Sequence, residues 1–176
     1  DRFRRLVKTA KSFEPEPDTD KVAGLESAIL NFDAFLAIEI PPRACYLAPW
    51  LREQSIFLIT GWRGIGKTFF ALGLLDAITK GNPFGPWACE KPATCLYMDA
   101  EMPVQDIQER AKLLGMTGTR KNPLLIYSDA HANQLGLPRA DLTNPEWRAA
   151  IKKILIDQGV KVWIIDNLAS CTAGLD

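Results

Sequence analysis

Glycines, a lysine and a threonine occur in residues 61–68 at a spacing that could hold the phosphates of a nucleotide. The segment fits the pattern G-x-x-x-x-G-K-[ST] with Gly61, Trp62, Arg63, Gly64, Ile65, Gly66, Lys67 and Thr68. The glycines permit a tight loop whose N–H groups point at phosphate oxygens. Lys67 is expected to neutralise the β- and γ-phosphates, and the Thr68 hydroxyl to ligate Mg²⁺. We therefore predict that these residues and the adjoining Phe69 bind ATP and Mg²⁺; the alternative is a glycine-rich turn without function.

An apolar run that ends in a carboxylate, VWIID at 162–166, is the second chemical feature. Many buried strands end in Asp, so the run is informative only because it lies downstream of a phosphate-binding pattern. In that context Asp166 is expected to hold the Mg²⁺ shell, usually through a water molecule. Thr68 and Asp166 are thus the candidate metal-site residues.

A carboxylate that could activate water does not follow Asp166 directly, because position 167 is Asn. Glu101 instead follows the strand after the phosphate-binding helix, at the sheet edge where ligands of open α/β sheets bind. We therefore predict that Glu101 is the catalytic base, acting beside Lys67. The alternative is that Glu101 only stabilises the start of the next helix. Asp99 could face the same cleft or serve the structure alone.

The elements that must position these residues alternate from residue 55 onward. Apolar, β-rich runs predict strands at 55–60, 95–99, 124–127 and 160–165. Apolar residues at helical spacing predict helices at 67–79, 103–114 and 145–158, and shorter ones at 21–30 and 33–38. A polar loop is expected around His131, which is either a surface residue or a phosphate or DNA contact. The alternation predicts an α/β fold, a parallel sheet with helices on both faces. Together with the motif at 61–68 it predicts a P-loop NTPase.

The first twenty residues differ from the rest in composition. Residues 1–13 carry five basic side chains with apolar residues at helical spacing, which predicts a short basic amphipathic helix. Residues 14–20 (EPEPDTD) are acidic and proline-containing, as expected of a linker. The helix could be a DNA-binding arm, a solvated helix or the end of a preceding domain. We accordingly divide the chain into 1–20 and an ATPase region at 21–176.

The composition excludes a fully disordered tail, a collagenous repeat and a disulfide-dense miniprotein. Of the 176 residues, 47% are hydrophobic and 24% charged, as in ordinary globular domains. Lys and Arg together number 21, as do Asp and Glu, so any nucleic-acid binding needs a local patch. No apolar stretch is long enough to cross a bilayer. The four cysteines lack metal-site spacing and are expected to be reduced and mostly buried.

Three segments together, GWRGIGKT, YMDAEMP and VWIIDNLAS, resemble the RepA-like and DnaB-like branch of the RecA-fold ATPases, the AAA_25-type domain of plasmid and phage replication proteins. The resemblance extends from about Phe32 to Asp176. It implies that Glu101 is the activating glutamate and Asp166 the Mg²⁺-linked carboxylate. It also implies that Asn167 and Ser170 line the γ-phosphate side of the nucleotide site.

The resemblance further implies the motor domain of a plasmid- or phage-type replicative helicase or replication protein. Such a protein is cytoplasmic, forms a homo-oligomeric ring such as a hexamer, and acts on single-stranded DNA. One alternative is a RecA-like regulatory or DNA-repair accessory ATPase that does not unwind DNA. A more distant alternative is a small-molecule kinase, although no Arg-rich lid segment is evident.

The resemblance also raises an expectation about the end of the chain. In RecA-fold ATPases the next strand after the one that ends at the equivalent of Asp166 lies between the strands equivalent to 55–60 and 161–165. Only ten residues follow Asp166 in this sequence. We therefore expect a C-terminally truncated domain whose arginine finger and γ-phosphate sensor lie elsewhere. By itself it should bind ATP poorly, hydrolyse it barely and not unwind DNA.

Overall fold

The computed structural model describes residues 24–172 and divides the chain into two compact units, 1–41 and 42–176. The described part of the first unit contains a 3₁₀ turn, Leu25–Ala28, and helix α1, Phe32–Leu36. Helix α1 begins after Asn31, whose side chain accepts a hydrogen bond from the Ala34 N–H at 2.8 Å. The predicted basic helix and acidic linker at 1–20 lie outside the described residues.

The second unit carries the remaining described elements. Its strands are β1 (Cys45–Leu47), β2 (Leu51–Arg52), β3 (Cys95–Asp99), β4 (Leu124–Ser128) and β5 (Val162–Asp166). Its helices are α2 (Lys67–Lys80), α3 (Val104–Leu113), α4 (Asp129–Gln134) and α5 (Pro145–Asp157), and a 3₁₀ turn covers Ala169–Cys171. Strands 95–99, 124–127 and 160–165, and the helices predicted after residue 66, are confirmed to within about two residues.

A three-stranded parallel sheet in the order β4-β3-β5 forms the centre of this unit. In its register Asp99 lies beside Ser128 on one side and Asp166 on the other. Because all three strands run the same way, their carboxyl ends share one edge of the sheet. Two of the acidic residues singled out by the sequence are therefore neighbours on that edge.

Helices cover both faces of this sheet, as predicted. On one face, Leu72, Leu75 and Ile78 of α2 share a buried core with Cys95 and Tyr97 of β3. On the other face, the buried side chains Met98, Ala100, Ala140 and Cys171 pack with partly buried neighbours that include Trp147 and Trp163. Tyr97 thus lies on the face that packs against α2.

The prediction of a strand at 55–60 is wrong, because these residues form none. The segment has the composition of a buried strand, yet Ile56 is 99% exposed and Leu58 79%. A strand also needs a neighbour for its backbone N–H and C=O groups, and among residues 24–172 no strand pairs with this segment. Only Phe57 is seen in aromatic contact, with its ring 4.9 Å from that of Trp50. Apolar composition without a pairing partner does not make a strand.

Other differences are local. The predicted polar loop around His131 contains helix α4, which begins because the Ser128 side chain accepts from the His131 N–H. In the described part of the predicted helix 21–30 only a 3₁₀ turn forms. The β1–β2 hairpin was not predicted, since its strands are two and three residues long.

The predicted burial of most of the cysteines is confirmed. None of the four forms a disulfide, and Cys45, Cys95 and Cys171 are buried while Cys89 is half-buried. Burial raises the pKa of the Cys95 thiol to about 12, because the apolar surroundings disfavour the thiolate. Within residues 24–172, no helix is long and apolar enough to cross a bilayer.

The end of α2 yields a test of the packing. Gly81 has φ +76°, and a Cβ there would lie 2.8 Å from Pro92 Cγ. We expect Gly81→Ala to lower the free energy of unfolding by about 1–3 kcal/mol in urea titrations, from left-handed backbone strain plus the clash. Gly136→Ala is the matched control, because Gly136 has φ +70° but no neighbour within 4 Å. Equal losses in the two variants would contradict a contribution from Pro92.

Candidate functional site

The glycine-rich loop that the sequence predicts to bind phosphates precedes α2 directly. Gly64 and Gly66 have φ +83° and +97°, a backbone region that side chains with a Cβ rarely adopt. These turns bring the chain to Lys67, the first residue of the helix. The first turn of a helix leaves its N–H groups without intrahelical acceptors and carries the positive end of the helix dipole. The loop therefore presents backbone donors where an anion binds.

Lys67 folds back over the loop that precedes it. Its ammonium group donates to the Gly61 carbonyl at 2.9 Å and to the Trp62 carbonyl at 3.0 Å. The positive charge is therefore held at the loop itself. This position agrees with the charge-neutralising role predicted for the residue.

Thr68 and Asp166 meet although 98 residues separate them in sequence. The Thr68 hydroxyl donates to Asp166 Oδ2 at 2.8 Å, which joins the start of α2 to the end of β5. A hydroxyl that donates to a carboxylate keeps its lone pairs for a cation. The two residues that the sequence assigned to the metal site are thus in direct contact.

Tyr97 lies beneath this pair. Its hydroxyl lies 2.8 Å from Asp166 Oδ2 and 3.3 Å from Asp99 Oδ2, and the residue is 0% exposed. Burial, followed by the charge of Asp166, raises the pKa of the Tyr97 phenol far above its usual range. The phenol is therefore neutral and acts as a hydrogen-bond donor between the two carboxylates.

Asp99 shapes the turn that carries Glu101. Its Oδ1 accepts from the Glu101 N–H at 3.0 Å and from the Met102 N–H at 2.6 Å. Burial raises the pKa of Asp99, and the two backbone hydrogen bonds partly offset that rise because they stabilise the carboxylate. Of the two roles left open by the sequence, this geometry favours the structural one.

Glu101 is exposed at the edge of the sheet and contacts Asn167. The Asn167 Nδ2 donates to Glu101 Oε2 at 2.6 Å, and the Asn167 Oδ1 accepts from the Ser170 N–H at 2.9 Å. The amide thus connects the ends of β3 and β5. Glu101 and Asn167, predicted as base and γ-phosphate contact, lie side by side.

The other predicted nucleotide contacts lie at the surface of the loop. Trp62 is 87% exposed, and Arg63 and Ile65 are also exposed. Phe69 has the Arg110 guanidinium 5.5 Å from the centre of its ring. Gly61, Gly64 and Gly66 belong to the loop backbone. The structure therefore brings together Lys67, Thr68, Asp166, Glu101 and Asn167. The side chains of Trp62, Arg63 and Ile65 remain at the periphery, as does the exposed His131.

The donor set suits Mg²⁺. This hard cation prefers oxygen ligands and is bound in nucleotide sites by one or two protein groups plus phosphates. Thr68 and Asp166 supply a hydroxyl and a carboxylate in contact. Within residues 24–172, neither Asp166 nor Glu101 is paired with a basic side chain. A cation held between protein and phosphates would compensate this negative charge.

Comparison with known families agrees with this arrangement. The family model AAA_25, described as an AAA domain, matches residues 21–176. The chain belongs to this AAA domain family. No curated protein and no solved structure matches the chain. Membership of the AAA family supports a nucleotide-dependent P-loop ATPase, in agreement with the α/β fold, and leaves the particular branch of the family open.

Sequence reasoning about this AAA domain missed Tyr97. The available signal was its position two residues before Asp99, because alternate residues of a strand share a face. That face packs on α2, so a hydroxyl at position 97 points toward the helix that carries Thr68. The contact with Asp166 itself depends on the pairing of β3 with β5, which the sequence does not specify.

The turn at Glu101 supplies a test. Asp99→Ala removes Oδ1, the acceptor of both hydrogen bonds, and we expect the Glu101 and Met102 amides to exchange with solvent about ten-fold faster or more, since a hydrogen bond to a charged group contributes roughly 1.5–3 kcal/mol. Asp99→Asn keeps Oδ1 and should preserve slow exchange. Hydrogen–deuterium exchange resolved at these amides measures both. Equal acceleration in the two variants would show that Oδ1 does not hold the turn.

Proposed function

We propose that the chain binds ATP with Mg²⁺ and hydrolyses the bond between the β- and γ-phosphates. The observation that carries the proposal is the hydrogen bond between Thr68 and Asp166, at 2.8 Å, which joins a phosphate-binding loop to an acidic strand end. Glu101 lies at the same edge, held by Asn167. A loop, a cation site and a base in one place are the parts that phosphoryl transfer to water requires.

In this mechanism the side chains mainly position and neutralise charge. Backbone N–H groups of residues 61–68 and the Lys67 ammonium would hold the phosphates, and Thr68 and Asp166 would hold the metal. Bound Mg²⁺ neutralises charge on the β- and γ-phosphates. Glu101 accepts a proton from the attacking water. The oxygen of that water bonds to the γ-phosphorus as the bond between the γ-phosphorus and the β–γ bridging oxygen breaks.

Asn167 has a defined part in this arrangement. Its amide donates to Glu101 Oε2, so the carboxylate is oriented with that oxygen engaged. The backbone N–H of Ser170 in turn fixes the amide. In this proposal Asn167 orients the base from the end of β5.

At the level of the whole protein we propose the motor domain of a plasmid- or phage-type replicative helicase or replication protein. The motif combination and the AAA_25 match support this. It would act in the cytoplasm as a homo-oligomeric ring on single-stranded DNA. The alternative is a RecA-like regulatory or DNA-repair accessory ATPase.

These alternatives differ in their response to DNA. In the whole protein, a helicase motor should show ATP turnover stimulated by single-stranded DNA and should displace a strand from a forked duplex. An accessory ATPase should lack strand displacement whether or not DNA stimulates it. Transfer of the γ-phosphate to a small-molecule acceptor rather than to water would contradict both and indicate a kinase.

Nucleotide binding is tested at the loop lysine. Lys67→Ala removes the cation that the motif supplies to the phosphates, and we expect the affinity for a fluorescent ATP analogue to fall about ten-fold or more. Lys80→Ala is the control, because Lys80 lies at the far end of the same helix and pairs with Asp76 at 2.7 Å. Equal affinity in wild type and Lys67→Ala would overturn the assignment of the loop.

Chemistry is tested separately from binding. Glu101→Gln keeps the shape and removes the base, so bound ATP should remain while its conversion to ADP slows by roughly 10²–10⁴-fold. Single-turnover conversion of bound radiolabelled ATP suits even a slow enzyme. Glu109→Gln, at an exposed position of α3, is the control. Asp99→Asn should slow conversion less than Glu101→Gln. The reverse order for Asp99 and Glu101 would show that the wrong carboxylate is assigned.

A further inference from the structure

We propose that Tyr97 is a positioning residue that fixes the Asp166 carboxylate for the bound metal. The inference rests on the proposed function, because it concerns the same Mg²⁺–nucleotide site. Its basis is geometric: the Tyr97 hydroxyl lies 2.8 Å from Asp166 Oδ2, on a side chain that is 0% exposed.

Two hydroxyls converge on one oxygen of Asp166. Thr68 donates to Oδ2 from the start of α2, and Tyr97 donates to the same Oδ2 from within β3, both at 2.8 Å. A carboxylate anchored through Oδ2 from two directions cannot rotate freely about its last bond. Neither hydrogen bond engages Oδ1. The pair of donors therefore directs the second oxygen, which is the one left to act on the metal shell.

Tyr97 also separates two acidic groups. A phenol has one proton and donates to one acceptor at a time. The distance to Asp166 is 2.8 Å and that to Asp99 is 3.3 Å, so the proton is committed to Asp166. Asp99 meanwhile accepts from the backbone of the Glu101 turn. The Tyr97 hydroxyl thus donates to Asp166, while Asp99 accepts from the backbone N–H of Glu101, the proposed base.

The neighbouring strand contains the same short pattern without the metal site. On β4, the Tyr127 hydroxyl donates to Asp129 Oδ1 at 2.9 Å, again two residues along the chain. Asp129 also accepts from the Ala140 N–H and from Arg139, and so holds a loop. Loss of the Tyr127 hydroxyl removes a similar part-buried hydrogen bond away from Thr68 and Asp166, which makes Tyr127→Phe a matched control.

The test follows binding of a fluorescent ATP analogue as Mg²⁺ is titrated. In Tyr97→Phe we expect the Mg²⁺ concentration at half-maximal binding to rise roughly 5- to 20-fold, the scale of losing one hydrogen bond to a charged group. Binding in excess EDTA should stay within about two-fold of wild type. Tyr127→Phe should leave both values unchanged. Urea titrations of the two variants report the structural cost alone.

The outcomes separate the possibilities. Equal Mg²⁺ midpoints in Tyr97→Phe and Tyr127→Phe, with Mg²⁺-dependent binding in wild type, would overturn this inference and leave the proposed function standing. Wild type without Mg²⁺-dependent nucleotide binding would overturn both. If Tyr97→Phe does not fold, 4-fluorophenylalanine at position 97 fills the space of the hydroxyl without a proton to donate, and the same shift in the Mg²⁺ midpoint is expected.

Discussion

The parallel pairing of β3 with β5 is the constraint on which the site depends. Its register sets Asp99 beside Asp166, so two carboxylates leave the sheet at one edge. Like charges this close are unfavourable unless each has its own partners. The structure provides them: the Tyr97 and Thr68 hydroxyls for Asp166, and two backbone N–H groups for Asp99. The two hydrogen bonds to Asp99 come from the Glu101 and Met102 N–H groups, and they form the turn at Glu101.

The same pairing explains why the sheet edge and the phosphate loop act as one unit. Helix α2 packs on the face that carries Cys95 and Tyr97, and its buried leucines fix its height over the sheet. The first turn of α2 is thereby placed over the ends of β3 and β5, and Thr68 closes the contact. Core packing far from the loop therefore determines where the N–H groups at the start of α2 lie relative to Asp166.

Much of this could be predicted from sequence, for identifiable reasons. Helices α2 and α5 have strong local signals. Gly81, in the left-handed conformation, ends α2, and Asn144 caps the start of α5 before Pro145. The loop and Asp166 follow a fixed motif spacing. The prediction of a strand at 55–60 was wrong, because strand formation depends on a pairing partner that no local sequence pattern indicates. Contacts such as Tyr97 with Asp166 depend on which strands pair, and so lie beyond local patterns as well.

The two Tyr-x-Asp segments show how one local pattern yields different outcomes in different surroundings. On β4, which lies at the edge of the sheet, the Tyr127 hydroxyl reaches only Asp129, and that carboxylate holds a loop. On β3, which has a strand on each side, the Tyr97 hydroxyl meets a second carboxylate from β5. The register places Tyr127 beside Met98, on the face opposite to Tyr97, whereas Tyr97 shares its face with Asp99 and Asp166. The pairing of β3 with β5 on this shared face thus turns a local Tyr–Asp contact into a link between strands. The stiffness of the Asp166 carboxylate is then a property of the sheet order rather than of either residue alone.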